Sequence, residues 1–189
     1  ISSVAISQQV CSKSLQLMGS RFDITVVAKD AIEGGQFIDL AVNEITRIER
    51  LISSWDVNSQ TSEINQNAGI KPVVVDAELF QLIKRALKIS KLTEGAFDIS
   101  YASMDKVWHF DGRMKIMPSK EAIKASVEKV GYQHIILNED QRTVFLKLKG
   151  MKIGFGGIGK GYAADKTKAL LIEKGVVGIM EASPLFILG

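Results

Sequence analysis

The chain has 189 residues, of which 46% are hydrophobic and 24% are charged, and its formal net charge is +3. This composition is typical of a globular protein with a sizeable core, and the length fits one domain. The small, scattered charge argues against a nucleic-acid partner. A single cysteine, Cys11, excludes an internal disulfide and a Cys-ligated zinc site, and the isolated His109 and His134 exclude a histidine-based metal cluster.

The first half of the chain is predicted to contain an arm, a strand, a helix and a long loop. Residues 1–17 are polar and aperiodic, which predicts an N-terminal arm or tether outside the folded domain. Residues 21–27 alternate between apolar and polar, as in a half-buried strand. Apolar residues spaced three and four apart over 38–52 predict an amphipathic helix. The polar stretch 53–71 predicts a loop, and loops of that length are often functional.

The second half is predicted to mix helices with short strands, including one antiparallel hairpin. The predicted elements are a helix over 79–89 that ends near Gly95, a short extended piece over 96–100, a helix over 118–130, a hairpin of 135–137 with 143–146, a helix over 162–174 and a strand over 176–180. Helices and strands do not alternate regularly along this order, so it favours an α/β fold of the α+β type over a doubly wound dinucleotide domain.

A glycine-rich run near the end of the chain predicts a phosphate-binding turn. Gly154, Gly156 and Gly159 have the G-x-G-x-x-G spacing of a dinucleotide-binding turn, although the expected ribose-binding acid is missing. Gly154 to Lys160 also fits G-x-x-x-x-G-K, but Gly161 stands where a P-loop needs Ser or Thr. Backbone N–H groups at a helix start and the Lys160 ammonium suit a phosphate. The alternative is a tight turn without a ligand.

Four separated segments carry motifs that resemble those of one family. They are Met-Gly-Ser at 18–20, Trp55 followed by Ser-Gln-Thr-Ser-Glu-Ile-Asn at 59–65, Gly-Ala-Phe-Asp-Ile-Ser at 95–100, and Gly-Gly-Ile-Gly-Lys-Gly-Tyr-Ala-Ala-Asp at 156–165. The pattern is similar to that of the FAD:protein FMN transferases, also called the ApbE family of flavin transferases or thiamine-biosynthesis lipoproteins.

The resemblance implies a fold and an activity. The expected fold is a T-fold-like arrangement of mixed sheets with flanking helices over residues 18–189. The expected activity uses FAD and Mg²⁺: it cleaves the FAD pyrophosphate, attaches FMN through a phosphoester to a threonine of an acceptor protein, and releases AMP. The implied acceptor is a subunit of a membrane redox complex. The implied location is the bacterial periplasm, with a lipid anchor on the inner membrane in the precursor.

The resemblance also assigns roles to residues of the first three motifs. It implies that Met18 and Trp55 pack on the flavin or adenine portions of FAD. It implies that Ala96, Phe97 and Asp98 line the same cleft, with Asp98 accepting hydrogen bonds from a ring or a ribose.

The last motif implies the catalytic and metal residues. Lys160 is expected to face the FAD phosphates, where its charge gains value as negative charge develops on phosphate. Gly157 is expected to offer its main-chain oxygen to Mg²⁺, a cation that prefers oxygen ligands. Gly154 departs from the family pattern, which has Asp at this position. The family's later motifs do not match this sequence after Met180, so the chain is expected to lack the C-terminal part of the domain.

Three other functions remain open on the sequence. The chain could bind FAD without chemistry, it could hydrolyse FAD as a pyrophosphatase, or it could be a nucleotide-dependent oxidoreductase that uses the G-x-G-x-x-G turn.

Overall fold

The computed structural model describes residues 8–105, 107, 117–176 and 178–180. The chain divides into two compact units, one formed by Ile1–Arg50 with Ile158–Gly189 and the other by Leu51–Gly157. Helices and antiparallel strands occur together in each, which confirms the predicted α+β class. None of the described helices combines the length and the hydropathy that crossing a bilayer requires.

The described elements follow one another in a mixed order. They are β1 (Gln9–Leu17), β2 (Ser20–Ala28), α1 (Ala31–Ile52), α2 (Gln60–Gln66), β3 (Val73–Val74), α3 (Ala77–Leu92), a 3-10 helix (Ile99–Ser103), α4 (Lys120–Ser126), a second 3-10 helix (Tyr132–His134), β4 (Ile135–Asn138), β5 (Thr143–Leu146), α5 (Gly159–Glu173) and β6 (Gly178–Met180).

The first unit contains an antiparallel sheet with the strand order β1-β2-β6. The strand predicted over 21–27 is confirmed as β2, whose side chains alternate between buried and half-buried. The arm predicted over 1–17 is wrong from residue 9 onward, because β1 pairs with β2 along its whole length. Most β1 side chains are exposed, so the strand is held by backbone pairing and its sequence shows no apolar alternation.

A two-residue turn joins β1 to β2. Met18 has a φ of 50° and Gly19 a φ of 70°. Positive φ at both central residues is the geometry whose twist matches a β-hairpin. Glycine adopts it freely, whereas Met18 is a non-glycine residue in a sparsely populated region.

Helices α1 and α5 complete the first unit. The Asp30 side chain accepts a hydrogen bond from the Glu33 amide (2.8 Å) and so caps the start of α1. The predicted apolar stripe of α1 is confirmed, because its members are buried: Ile38, Ala41, Ile45, Ile48 and Ile52. The helix predicted over 162–174 is confirmed as α5, which begins at Gly159, ends at Glu173 and is followed by Gly175 with a φ of 85°.

The second unit contains an antiparallel sheet with the strand order β3-β5-β4. The predicted hairpin is confirmed, with Asn138 opposite Thr143 at its end. The prediction that 53–71 is a loop throughout is wrong, because α2 lies within it. The Ser59 side chain caps α2 by accepting from the Ser62 amide (3.0 Å). The buried face of α2 carries hydroxyl side chains, so the sequence does not show the apolar pattern that would predict a helix.

Two further predictions for the second unit need correction. The helix predicted over 118–130 is α4, which ends earlier, at Ser126. The stretch 96–100 is extended at Asp98, with φ −149° and ψ 120°, but it turns into the 3-10 helix at Ile99. The helix predicted over 79–89 is confirmed as α3, whose inward face is buried.

Candidate functional site

The second unit contains a cavity of about 480 Å³, within the range of small-molecule pockets. Two stretches that are far apart in sequence supply nearly all of its wall. The lining residues are Gly95, Ala96, Phe97, Asp98, Ile99, Tyr101, Val130, Gly154, Gly156 and Gly157. The predicted motif at 95–100 and the start of the glycine-rich run therefore meet at one site.

The end of α3 positions the first stretch. The Glu94 amide donates to the Lys91 carbonyl (3.3 Å) and the Gly95 amide donates to the Ser90 carbonyl (2.8 Å). This pair of bonds is the Schellman arrangement that closes a helix. Glu94 and Gly95 both have positive φ, 52° and 87°. The chain consequently reverses direction and presents residues 96–98 to the cavity.

The Asp98 carboxyl group fixes the conformation of the first stretch by accepting hydrogen bonds. Its Oδ1 accepts from the Ser100 amide (2.8 Å) and from the Ser100 hydroxyl (2.7 Å), while Oδ2 accepts from the Tyr132 amide (2.7 Å). The Ser100 hydroxyl in turn accepts from the Gly131 amide (2.7 Å). Asp98 thus caps the 3-10 helix and ties it to residues 131–132. Both carboxyl oxygens already accept protein hydrogen bonds, so any bond to a ligand would be an additional one.

Hydrogen bonds from two side chains fix the second stretch at residues 152–153, where the described residues form no strand. The Asn65 side chain donates to the Ile153 carbonyl (3.1 Å) and accepts from the Ile153 amide (2.8 Å). The Ser103 hydroxyl donates to the Lys152 carbonyl (2.8 Å) and accepts from the Lys152 amide (2.7 Å). Because buried backbone groups need partners, these two side chains replace a sheet ladder. They fix the course of the chain immediately before the glycines.

The backbone of the same stretch is anchored by a hydrogen bond at the cavity and is contacted there by two aromatic side chains. The Gly154 amide donates to the Ile99 carbonyl (2.9 Å), which joins the two stretches directly. A β-carbon added at Gly156 would lie 2.5 Å from Tyr101 Oη, and one at Gly157 would lie 3.3 Å from a ring carbon of Phe97. Two aromatic rings therefore lie against bare backbone, and Gly156 has no room for a side chain while Tyr101 keeps its place.

The structure brings four predicted site residues together. Ala96, Phe97, Asp98 and Gly157 all line the cavity, which is where the resemblance expects a flavin nucleotide. Their contacts with a ligand stay predictions. Tyr101 in the cavity wall and Ser103 and Asn65 among its supports are functional candidates that had no predicted role. Asn65 ends a recognised motif, whereas nothing in the sequence distinguishes Tyr101 or Ser103.

The other three predicted site residues lie elsewhere in the chain. Trp55 is 87% exposed and is not among the cavity-lining residues, although its backbone is fixed by a hydrogen bond to the Ser53 hydroxyl (3.2 Å). Met18 lies in the β1–β2 turn of the first unit. Lys160 lies in the first turn of α5, three residues after Gly157 along the chain. Their predicted roles remain predictions.

The described residues do not form a site for Mg²⁺. Among them, no group of three or more His, Cys, Asp or Glu side chains is placed to hold a metal ion. Gly157 contributes only a backbone carbonyl, and the Asp98 carboxyl is engaged with the protein. Because Mg²⁺ favours octahedral oxygen coordination, one carbonyl does not make its site.

The structure defines an α+β protein with a cavity of small-molecule size, and comparison with known proteins gives its family. The ApbE family model matches residues 18–180, so the chain belongs to the ApbE family. It is 31% identical over 175 residues to a protein of Klebsiella pneumoniae (strain 342) named FAD:protein FMN transferase, covering 90% of this chain and 54% of that protein. A protein of the same name from Buchnera aphidicola subsp. Schizaphis graminum is 31% identical over 142 residues, covering 73% and 42%.

Solved structures agree with the α+β fold. The crystal structure of the ApbE protein from Thermotoga maritima has a TM-score of 0.74 and 27% identity, covering 87% of this chain and 53% of that chain. The flavin transferase ApbE from Vibrio cholerae has a TM-score of 0.79 at 20% identity, covering 92% and 57%. The chain thus spans about half the length of the relatives that it matches.

Proposed function

We propose that this chain belongs to an FAD:protein FMN transferase. In the proposed reaction, a threonine hydroxyl of an acceptor protein attacks the FMN phosphorus, the pyrophosphate bond breaks, and AMP leaves with the electron pair. The acceptor oxygen gives up its proton and a phosphoester joins FMN to the protein. The observation that carries the proposal is that two motifs of the family, at 95–100 and at 156–165, both contribute lining residues to one cavity.

The cavity suits part of a flavin dinucleotide. Phe97 and Tyr101 offer aromatic rings, and the exposed backbone of Gly156 and Gly157 admits a close approach by a ligand. Lys160 follows these glycines at the start of α5 and would balance the charge of the phosphates. Met18 and Trp55 would pack on ring portions of the same ligand. Met18 occupies a backbone conformation that is unfavourable for a non-glycine residue, and such outliers cluster at functional sites.

The metal, acceptor and location are further parts of the proposal. Mg²⁺ is expected from the family resemblance, with the Gly157 carbonyl as one ligand. The proposed acceptor is a subunit of a membrane redox complex. The proposed location is the bacterial periplasm, with a lipid anchor on the inner membrane.

One experiment separates this function from its alternatives. The purified protein is incubated with FAD, Mg²⁺ and a threonine-containing acceptor, and both free AMP and protein-bound flavin are measured. Transfer predicts equal amounts of the two products. AMP and FMN without protein-bound flavin would indicate a pyrophosphatase, and FAD binding without cleavage would indicate a binding protein.

A parallel titration with NAD tests the oxidoreductase alternative. Tight NAD binding without affinity for FAD would favour it. The structure gives that alternative little support, because the described sheets are antiparallel and Gly154 does not follow a parallel strand.

A further inference from the structure

The Tyr101 side chain has an unusual position in the cavity wall. Its residue is 46% exposed and lines the cavity, while its hydroxyl oxygen lies against the backbone of the glycine-rich stretch. A β-carbon added at Gly156 would be 2.5 Å from this oxygen and one at Gly154 would be 3.4 Å from it. The hydroxyl therefore occupies space that side chains at positions 154 and 156 would otherwise enter.

The polar groups of the cavity wall single out this hydroxyl. Of the ten lining residues, only Asp98 and Tyr101 carry a polar atom in the side chain. The Asp98 carboxyl accepts three hydrogen bonds from Ser100 and Tyr132. The Tyr101 hydroxyl is consequently the cavity-wall side chain best able to donate a hydrogen bond to a ligand. Phosphate, ribityl and flavin carbonyl oxygens are all acceptors that need such a donor.

The Tyr101 hydroxyl also lies beside Gly154, a position at which this chain has no side chain. A β-carbon at position 154 would also lie 3.1 Å from the Ala102 β-carbon, so the site is crowded on the side of the 3-10 helix. Tyr101, from that same helix, brings a polar oxygen to the place where a side chain at 154 would begin.

We propose that Tyr101 is a specificity-determining residue, whose hydroxyl donates a hydrogen bond to an acceptor oxygen of FAD in this cavity. The proposal rests on the proposed function, because it takes FAD as the ligand. Because residue 154 is a glycine without a side chain, the proposal assigns this polar contact with the ligand to Tyr101.

The test compares Tyr101→Phe with the unaltered protein in FAD binding, measured by the change in flavin fluorescence. Removing only the hydroxyl is expected to raise the Kd for FAD about tenfold, the value of one hydrogen bond to a ligand. The melting temperature should stay the same, because the ring remains. Ser12→Ala is the control: its hydroxyl pairs with that of Thr25 in the exposed β1–β2 hairpin, it is not a lining residue, and the Kd for FAD should be unchanged.

Two different results would overturn the inference. If the unaltered protein binds FAD and Tyr101→Phe binds it equally well, the hydroxyl makes no useful contact, while the proposed function survives. If the unaltered protein does not bind FAD at all, both the proposed function and this inference fail. Repeating the titration with FMN and with AMP shows which half of FAD loses the contact.

Discussion

Replacing Asn65 with alanine would test whether side chains hold the glycine-rich stretch in place. The Asn65 side chain satisfies both backbone groups of Ile153, and Ile153 is completely buried. In Asn65→Ala these two groups lose their partners. A buried polar group without a partner costs about 1–3 kcal/mol, so the free energy of unfolding should fall by roughly 2–5 kcal/mol. Water entering the space left by the side chain would bring the value toward the lower end.

Asn67→Ala is the matched control for this prediction. Asn67 follows α2 and donates from its side chain to the Glu63 carbonyl (2.9 Å), in an exposed setting. Because water can replace an exposed hydrogen bond, its removal should cost about 0.5 kcal/mol or less. The two variants therefore remove the same functional group from neighbouring positions and differ in the burial of the backbone that it serves.

Urea unfolding curves measure the free energies, and amide hydrogen exchange at Ile153 gives a local readout. In Asn65→Ala the Ile153 amide should exchange faster by more than the change in global stability requires, because its acceptor has been removed. FAD binding should weaken as well, since residues 154–157 follow directly. A loss in stability below 1 kcal/mol, or one no larger than that of Asn67→Ala, would refute the view that Asn65 holds this stretch.

Three other predictions concern the cavity and the residues expected to serve it. Gly156→Ala should lower the free energy of unfolding by about 1–2 kcal/mol because the new methyl group meets the Tyr101 hydroxyl. Adding Tyr101→Phe leaves the nearest ring carbon 3.6 Å from that methyl group, so the double variant should regain most of the lost stability in urea unfolding. No regain would disprove the contact. Trp55→Ala should weaken FAD binding several-fold with little change in melting temperature, since the indole is exposed; a lower melting temperature with unchanged affinity would make Trp55 structural. Lys160→Ala should slow AMP release more than it weakens FAD binding, because charge develops on phosphate in the transition state, and equal losses would indicate uniform binding.

The predictions from sequence succeeded where a residue pattern has one dominant local cause. The apolar stripe of α1 identified that helix because a 3.6-residue period buries one face. The hairpin that ends at Asn138 and Thr143 followed from two apolar runs around a polar turn. In α1 the residues that create the pattern are also the residues that are buried, whereas the apolar run of the hairpin includes Ile136, which is exposed.

The predictions failed where an element is held by backbone pairing or tertiary contacts that its own residue pattern does not show. The sequence predicts an arm at β1 because its residues show no apolar alternation, and its pairing with β2 makes it a strand. The sequence predicts a loop at α2 because the buried face of this helix carries Thr61 and Ser62 as well as Ile64. A polar composition does not reveal which hydroxyl groups will be buried, since that depends on tertiary contacts.

The candidate site shows the same limit. Sequence motifs identified the residues at 95–98 and 154–157, and the structure places them around one cavity. The motifs do not predict the hydrogen bonds of Ser103 with Lys152 and of Asn65 with Ile153, whose partners are 49 and 88 residues apart in sequence. Nor did they indicate that Tyr101 would lie against Gly156. Side chains that support a site from a distance leave no local pattern.

The glycines of this site have a structural cause besides the one that their motif suggests. A phosphate-binding turn needs glycine so that a ligand can approach the backbone. Here the Tyr101 hydroxyl and the Phe97 ring already lie against Gly156 and Gly157, and a side chain at Gly156 would collide with Tyr101. The two causes are compatible, because both aromatic side chains also line the cavity. The glycine backbone and the aromatic rings thus form one surface, and a substitution at either would change the space that a flavin nucleotide is proposed to occupy.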